Sequence, residues 1–79
     1  MIIKFSRHAK RRANLYKISE DVIRDILNDF SLTDGEHQLL QTVAGFKYPI
    51  KIVVAVENNI VTVITNYPLK KGNKNESTL

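Results

Sequence analysis

The sequence predicts an α+β fold in which two N-terminal helices pack on a small antiparallel sheet. Three observations carry that prediction. Ser6 and Ser19 each stand directly before a stretch with helical apolar spacing. After Gly35 the apolar period changes, with Leu39, Leu40 and Val43 followed by the β-branched run Lys51–Val56. A second β-rich run, Ile60–Tyr67, is separated from the first by Glu57-Asn58-Asn59, a hairpin-loop composition.

Each element has its own local reason. Ile2-Ile3-Lys4-Phe5 is short and apolar and is expected to form an edge strand. Ser6 caps the first helix, because its hydroxyl accepts a backbone N–H left free in the first turn. Ala9, Ala13 and Tyr16 recur at i, i+4 and i+7 and form a small apolar stripe that can dock on a sheet. That helix should fade near Tyr16-Lys17. Ser19 caps the second, with Glu20 and Asp21 in the first turn, where the dipole favours negative charge. Val22, Ile23, Ile26, Leu27 and Phe30 give it a clear amphipathic stripe, and Thr33-Asp34-Gly35 is turn chemistry, so it stops near Phe30. A strand is expected over residues 36–43, with a turn at Gly45. The last strand, ended by Pro68, is largely apolar on both faces, which suggests a central strand or one covered on each side near its start. Residues 1–69 form one domain on this reading, and 70–79, polar and aperiodic, a flexible tail.

Composition removes several function classes. The chain has 79 residues, 43% of them hydrophobic, and no cysteine. A disulfide framework, a thiolate zinc site and a cysteine nucleophile are all excluded. The two histidines lack carboxylates at ligand spacing, so no metal site and no cofactor are expected. No apolar run approaches the roughly 20 residues that cross a bilayer, and a cytoplasmic location is expected.

Charge is informative through its distribution. Residues 1–17 hold six Lys/Arg and no acid; residues 18–37 hold one Arg against six acids; residues 38–79 hold five Lys against two Glu. The first helix is basic and the second acidic. Within the first, His8, Arg11 and Arg12 stand at i, i+3 and i+4, so one imidazole shares a face with two guanidinium groups. A single-sign face draws in a polyanion, and nucleic acid is the commonest one in a cytoplasm.

Three segments carry a family resemblance. Phe5-Ser6-Arg7-His8-Ala9-Lys10-Arg11-Arg12 opens the chain, Ile18-Ser19-Glu20-Asp21-Val22-Ile23 opens the second helix, and Val63-Ile64-Thr65-Asn66-Tyr67-Pro68 closes the sheet. Together they resemble the family called domain of unknown function 4258 over residues 3–69. That family is similar to the BrnT and RelE/ParE toxins and, more distantly, to the barnase, EndoU and colicin ribonuclease fold. The resemblance implies a RelE/barnase-like toxin fold and, in many relatives, metal-independent RNA cleavage. It also implies RNA as substrate and an acidic antitoxin protein encoded nearby. Gyrase poisons among the relatives keep a non-catalytic binding module open as the alternative, and a short β-rich edge invites strand addition by a partner.

Metal-free cleavage of RNA needs a base for the 2′-hydroxyl, an acid for the leaving 5′-oxygen and cations for the phosphorane. Histidine is the side-chain type that exchanges a proton near neutrality, which makes His8 the acid/base candidate. Arg11 and Arg12 are candidates to grip the scissile phosphate through paired N–H donors. Thr65 and Tyr67, two apart on the last strand, point to one side of the sheet. By resemblance to the family's closing motif they would hydrogen-bond the phosphate, with Tyr67 helping in proton transfer. Catalytic candidates are thus His8, Arg11 and Tyr67, and substrate-binding candidates Arg7, Arg12, Thr65 and Lys51. Lys51 and Lys47 otherwise have the character of edge-strand charges, and His37 that of a surface residue.

Overall fold

The structure, a computed structural model, describes residues 2–69. The chain runs through β1 (Ile2–Phe5), α1 (Arg7–Tyr16), α2 (Glu20–Asn28), β2 (Gly35–Gln41), β3 (Ile50–Glu57) and β4 (Ile60–Pro68). The expected tail at 70–79 lies outside the described residues.

Both helix caps form as the sequence dictates. Ser6 Oγ accepts from the Ala9 backbone N–H, and Ser19 Oγ from that of Asp21. α1 ends at Lys17, which takes the left-handed conformation (φ 59°). The Ile18 N–H then reaches back to the Ala13 carbonyl at 2.8 Å, and that of Lys17 to Asn14 at 3.3 Å. These two bonds close the helix in the Schellman manner and drive Ile18 into the core, so α2 starts almost at once.

The four strands form one sheet in the order β1-β4-β3-β2. β4 is interior, one of the two arrangements its apolar faces suggest, and β1 is an edge. The sheet is mixed, which corrects the all-antiparallel expectation: β1 runs parallel to β4, with Ile2 opposite Ile60 and Phe5 opposite Val63. The other two pairings are antiparallel. The reason is connectivity. The chain leaves β1 through both helices and returns to it only after β2 and β3, arriving in the original direction. β3 and β4 are joined by Asn58-Asn59, both at positive φ (53° and 67°). A two-residue hairpin of the type that matches strand twist requires this, and asparagine tolerates it. Residues 44–49, including Lys47, are outside any strand, so Lys47 is a loop residue and not an edge-strand charge; its Nζ lies 5.6 Å from the Tyr48 ring centre.

Burial alternates along β3, with Ile50, Ile52, Val54 and Val56 inside. They join Val61 and Val63 of β4, Ala9 and Ala13 of α1, and Ile23, Ile26 and Leu27 of α2 in one apolar cluster. Arg24 ties α2 to β1, lying 5.1 Å from the Phe5 ring centre, and pairs with Glu20 of its own helix at 3.6 Å.

One irregularity sets which way the end of β4 faces. Val54 pairs with Val63, but Val53 pairs with Thr65, so Ile64 is an extra residue on β4. Such a bulge flips the side-chain alternation beyond it. Val61 and Val63 face the core before the bulge, and Asn66 faces it afterwards, fully buried opposite Ile52. Thr65 and Tyr67 therefore project from the other face of the sheet, beside Val53 and Lys51.

Candidate nucleic-acid interface

α1 is held against β4 by polar contacts at its start. Ser6 Oγ donates to the Ile64 carbonyl at 2.9 Å while accepting from the Ala9 N–H at 3.0 Å. Asn66 Nδ2 donates to the Ala9 carbonyl at 3.3 Å. One serine thus caps the helix and satisfies a carbonyl at the bulge. The Ser6→Ala variant removes both bonds and is expected to lose about 1–2 kcal/mol of stability, as measured by urea unfolding.

With Ala9 and Ala13 turned inward, helical geometry places Arg7, His8, Lys10 and Arg11 around the outward half, and all four are exposed. Among the described residues none of them is in an ion pair. Arg12 differs from its neighbours: it is half-buried, and its guanidinium donates to the Tyr16 hydroxyl at 3.4 Å. The expected triad of His8, Arg11 and Arg12 is split accordingly, and Lys10, not singled out in the sequence, takes the place of Arg12 on the outward face. The run Arg7–Arg12 held that signal; only the direction in which the alanines dock decides which cations remain free.

These charges work against their own helix. The first turn of α1 holds no acid and begins with Arg7, whereas that of α2 holds Glu20 and Asp21. Cations beside the positive end of a helix dipole cost a few tenths of a kcal/mol each, and the pair Arg7/Arg11 adds like-charge repulsion at i,i+4. Local stability gives no reason for this pattern.

The remaining candidates lie elsewhere. Thr65, Tyr67 and Lys51 share the sheet face opposite the core, with Lys51 directly across from Tyr67. No hydrogen bond among the described residues links them to His8 or Arg11. The structure therefore does not assemble the expected phosphate grip of α1 with Thr65 and Tyr67; the bulge at Ile64 turned the two side chains away. A shallow cavity of about 480 Å³ on that open face is lined by Glu36, Glu57, Ala55, Ile60 and Thr62 among others, and its two carboxylates do not suit a polyanion. His37 is half-buried on β2, its Nε2 2.7 Å from the Thr33 carbonyl. Among the described residues no three of His, Asp and Glu converge as metal ligands, and no helix is long and apolar enough to cross a membrane. No family model matches the chain, and neither a curated protein nor a solved structure does.

Proposed function

We propose that the chain is an RNA-binding domain of the RelE/barnase-like toxin type and that it engages RNA through the outward half of α1. The observation that carries this reading is the set Arg7, His8, Lys10 and Arg11, exposed, without ion-pair partners among the described residues and begun by Arg7 against the helix dipole. Two helices followed by three consecutive antiparallel strands support the toxin-type reading of the fold. The same charge fits an acidic antitoxin that covers α1 in the cytoplasm.

Metal-independent cleavage is the second reading, and the exposure of His8 one turn from Arg11 favours it. His8 takes the 2′-hydroxyl proton as the 2′-oxygen attacks phosphorus. Arg11 stabilises the phosphorane, and the P–O5′ bond breaks with return of the proton to the 5′-oxygen. The product is a 2′,3′-cyclic phosphate. Tyr67, Thr65 and Lys51 have no part in that centre, because they stand on the other face of the sheet.

One experiment separates the two readings. Parent and His8→Ala protein are incubated with RNA in a chelator, and binding and cleavage are both followed. Binding alone predicts no cleavage by either protein and an affinity only a few-fold lower for the variant. Cleavage predicts a cyclic-phosphate product whose rate falls by about a hundredfold or more in His8→Ala. A parent protein that fails to bind RNA at low salt overturns both.

A further inference from the structure

The outer edge of β2 is chemically unfinished. In an antiparallel ladder the residues that exchange hydrogen bonds alternate with those that turn their N–H and C=O the other way. The Leu69 N–H donates to the Pro49 carbonyl at 2.8 Å, so the odd-numbered residues of β3 bond towards β4. The hairpin at Asn58-Asn59, closed by Glu57 opposite Ile60, has the same phase. Even-numbered residues of β3 consequently bond towards β2, where Ile50, Ile52, Val54 and Val56 face Gln41, Leu39, His37 and Gly35. Glu36, Gln38 and Leu40 are left with N–H and C=O directed outward, and nothing among the described residues pairs with them.

Free edges in folded proteins are usually blunted by shortness, lysine, proline or a bulge. β1, the other edge, has two of these features, being four residues long and carrying Lys4. β2 has none: it is seven residues long, regular in its pairing with β3, and charged only at Glu36, with Leu40 55% exposed.

We propose that β2 pairs antiparallel with β2 of a second copy of this chain about a two-fold axis at Gln38, making one continuous eight-stranded sheet. This register alone pairs all three outward residues with one another, and it keeps like charges apart. Gln38 faces its own counterpart, and Glu36 faces Leu40 of the second copy at both ends, so every outward N–H and C=O of the three residues finds a mate. The two Glu36 carboxylates lie at opposite ends of the seam. Each comes into one row with Leu40 and Lys51 of the other copy, since Lys51 is the β3 neighbour of Leu40. The stem of the glutamate covers the exposed leucine while its charge approaches a cation. On the core side His37 meets Leu39. A two-fold shifted to Glu36 would place like charges face to face. A single strand pair buries less than a standard stable interface, so the dimer is weak and concentration-dependent.

The test is sedimentation of the whole chain from micromolar to near-millimolar concentration, with amide exchange at Glu36, Gln38 and Leu40. A monomer–dimer equilibrium is expected, with exchange at these three amides slowing as dimer forms. Gln38→Pro removes an N–H that the β2–β3 ladder does not use and should raise the dissociation constant about tenfold or more with unfolding behaviour unchanged. Gln38→Lys and Gln38→Glu set like charges opposite each other. Each alone should be monomeric, and their equimolar mixture should dimerise. A chain that stays monomeric throughout overturns the proposal, as does a dimer that both charge variants leave intact.

Discussion

Asn66→Asp is expected to destabilise the protein by about 3–5 kcal/mol, while Asn66→Leu stays within about 1 kcal/mol of the parent. Asn66 is fully buried, and its one side-chain bond is the 3.3 Å contact from Nδ2 to the Ala9 carbonyl. Its Oδ1 has no partner. Aspartate exchanges that donor for an acceptor facing a carbonyl and brings a charge into an apolar cluster that offers no cation. Leucine, of similar size, removes the donor and the unpartnered acceptor together. The Ala9 carbonyl keeps its bond within α1, so nothing is stranded. A domain of this length is stable by roughly 4–12 kcal/mol, so the aspartate variant should be largely unfolded in mild urea. Its defect should also shrink with acid. Burial raises the carboxyl pKa in the folded state, so the penalty is absent below about pH 4, where the unfolded chain is protonated too, and grows as pH rises. Urea midpoints of both variants at acid and neutral pH decide the matter; equal losses in the two would show that only shape counts at this position.

The combined variant Arg7→Gln, Lys10→Gln, Arg11→Gln is expected to lose about ten- to a hundredfold in RNA affinity at low salt while becoming more stable. Three phosphate contacts removed should lower the slope of log affinity against log salt by about 2, at roughly 0.7 per contact for single strands. The stability change has the opposite sign because these cations oppose the dipole of α1 and repel one another; relieving this should gain about 0.5–1 kcal/mol. Fluorescence anisotropy with a short RNA and urea unfolding give the two numbers. Loss of binding together with loss of stability would mean that α1 had been damaged rather than discharged, and unchanged binding would remove α1 as the contact surface.

Local chemistry made much of the architecture readable in advance. Ser6 and Ser19 capped the helices they preceded, Ala9 and Ala13 turned inward, and the asparagine pair closed the hairpin. What was hidden depended on tertiary arrangement. No residue near Ile2–Phe5 tells that this strand pairs parallel with β4, because the pairing is decided by where the chain returns. Val63, Ile64 and Thr65 are all good strand formers, and nothing in them marks Ile64 as the extra residue. Yet that residue determines whether Tyr67 shares a surface with His8. Two-residue spacing placed Thr65 and Tyr67 on a common side correctly; which side was not written in the spacing. Arg12 and Lys10 exchanged places for a related reason, since a helical wheel orders side chains around an axis and leaves its rotation to the docking surface.

The parallel pairing of Ile2 with Ile60 also bears on how the protein comes into being on the ribosome. The first strand to be synthesised has no neighbour until nearly the last residues of the domain have emerged, because the strand it needs is made at the end. The amphipathic helices must wait with it, their apolar stripes uncovered. Folding of the sheet is thus a late event dominated by contacts distant in sequence, slower than in a helical protein of equal length. A nascent chain of this kind exposes its cationic segment long before it has the sheet on which that segment folds as a helix.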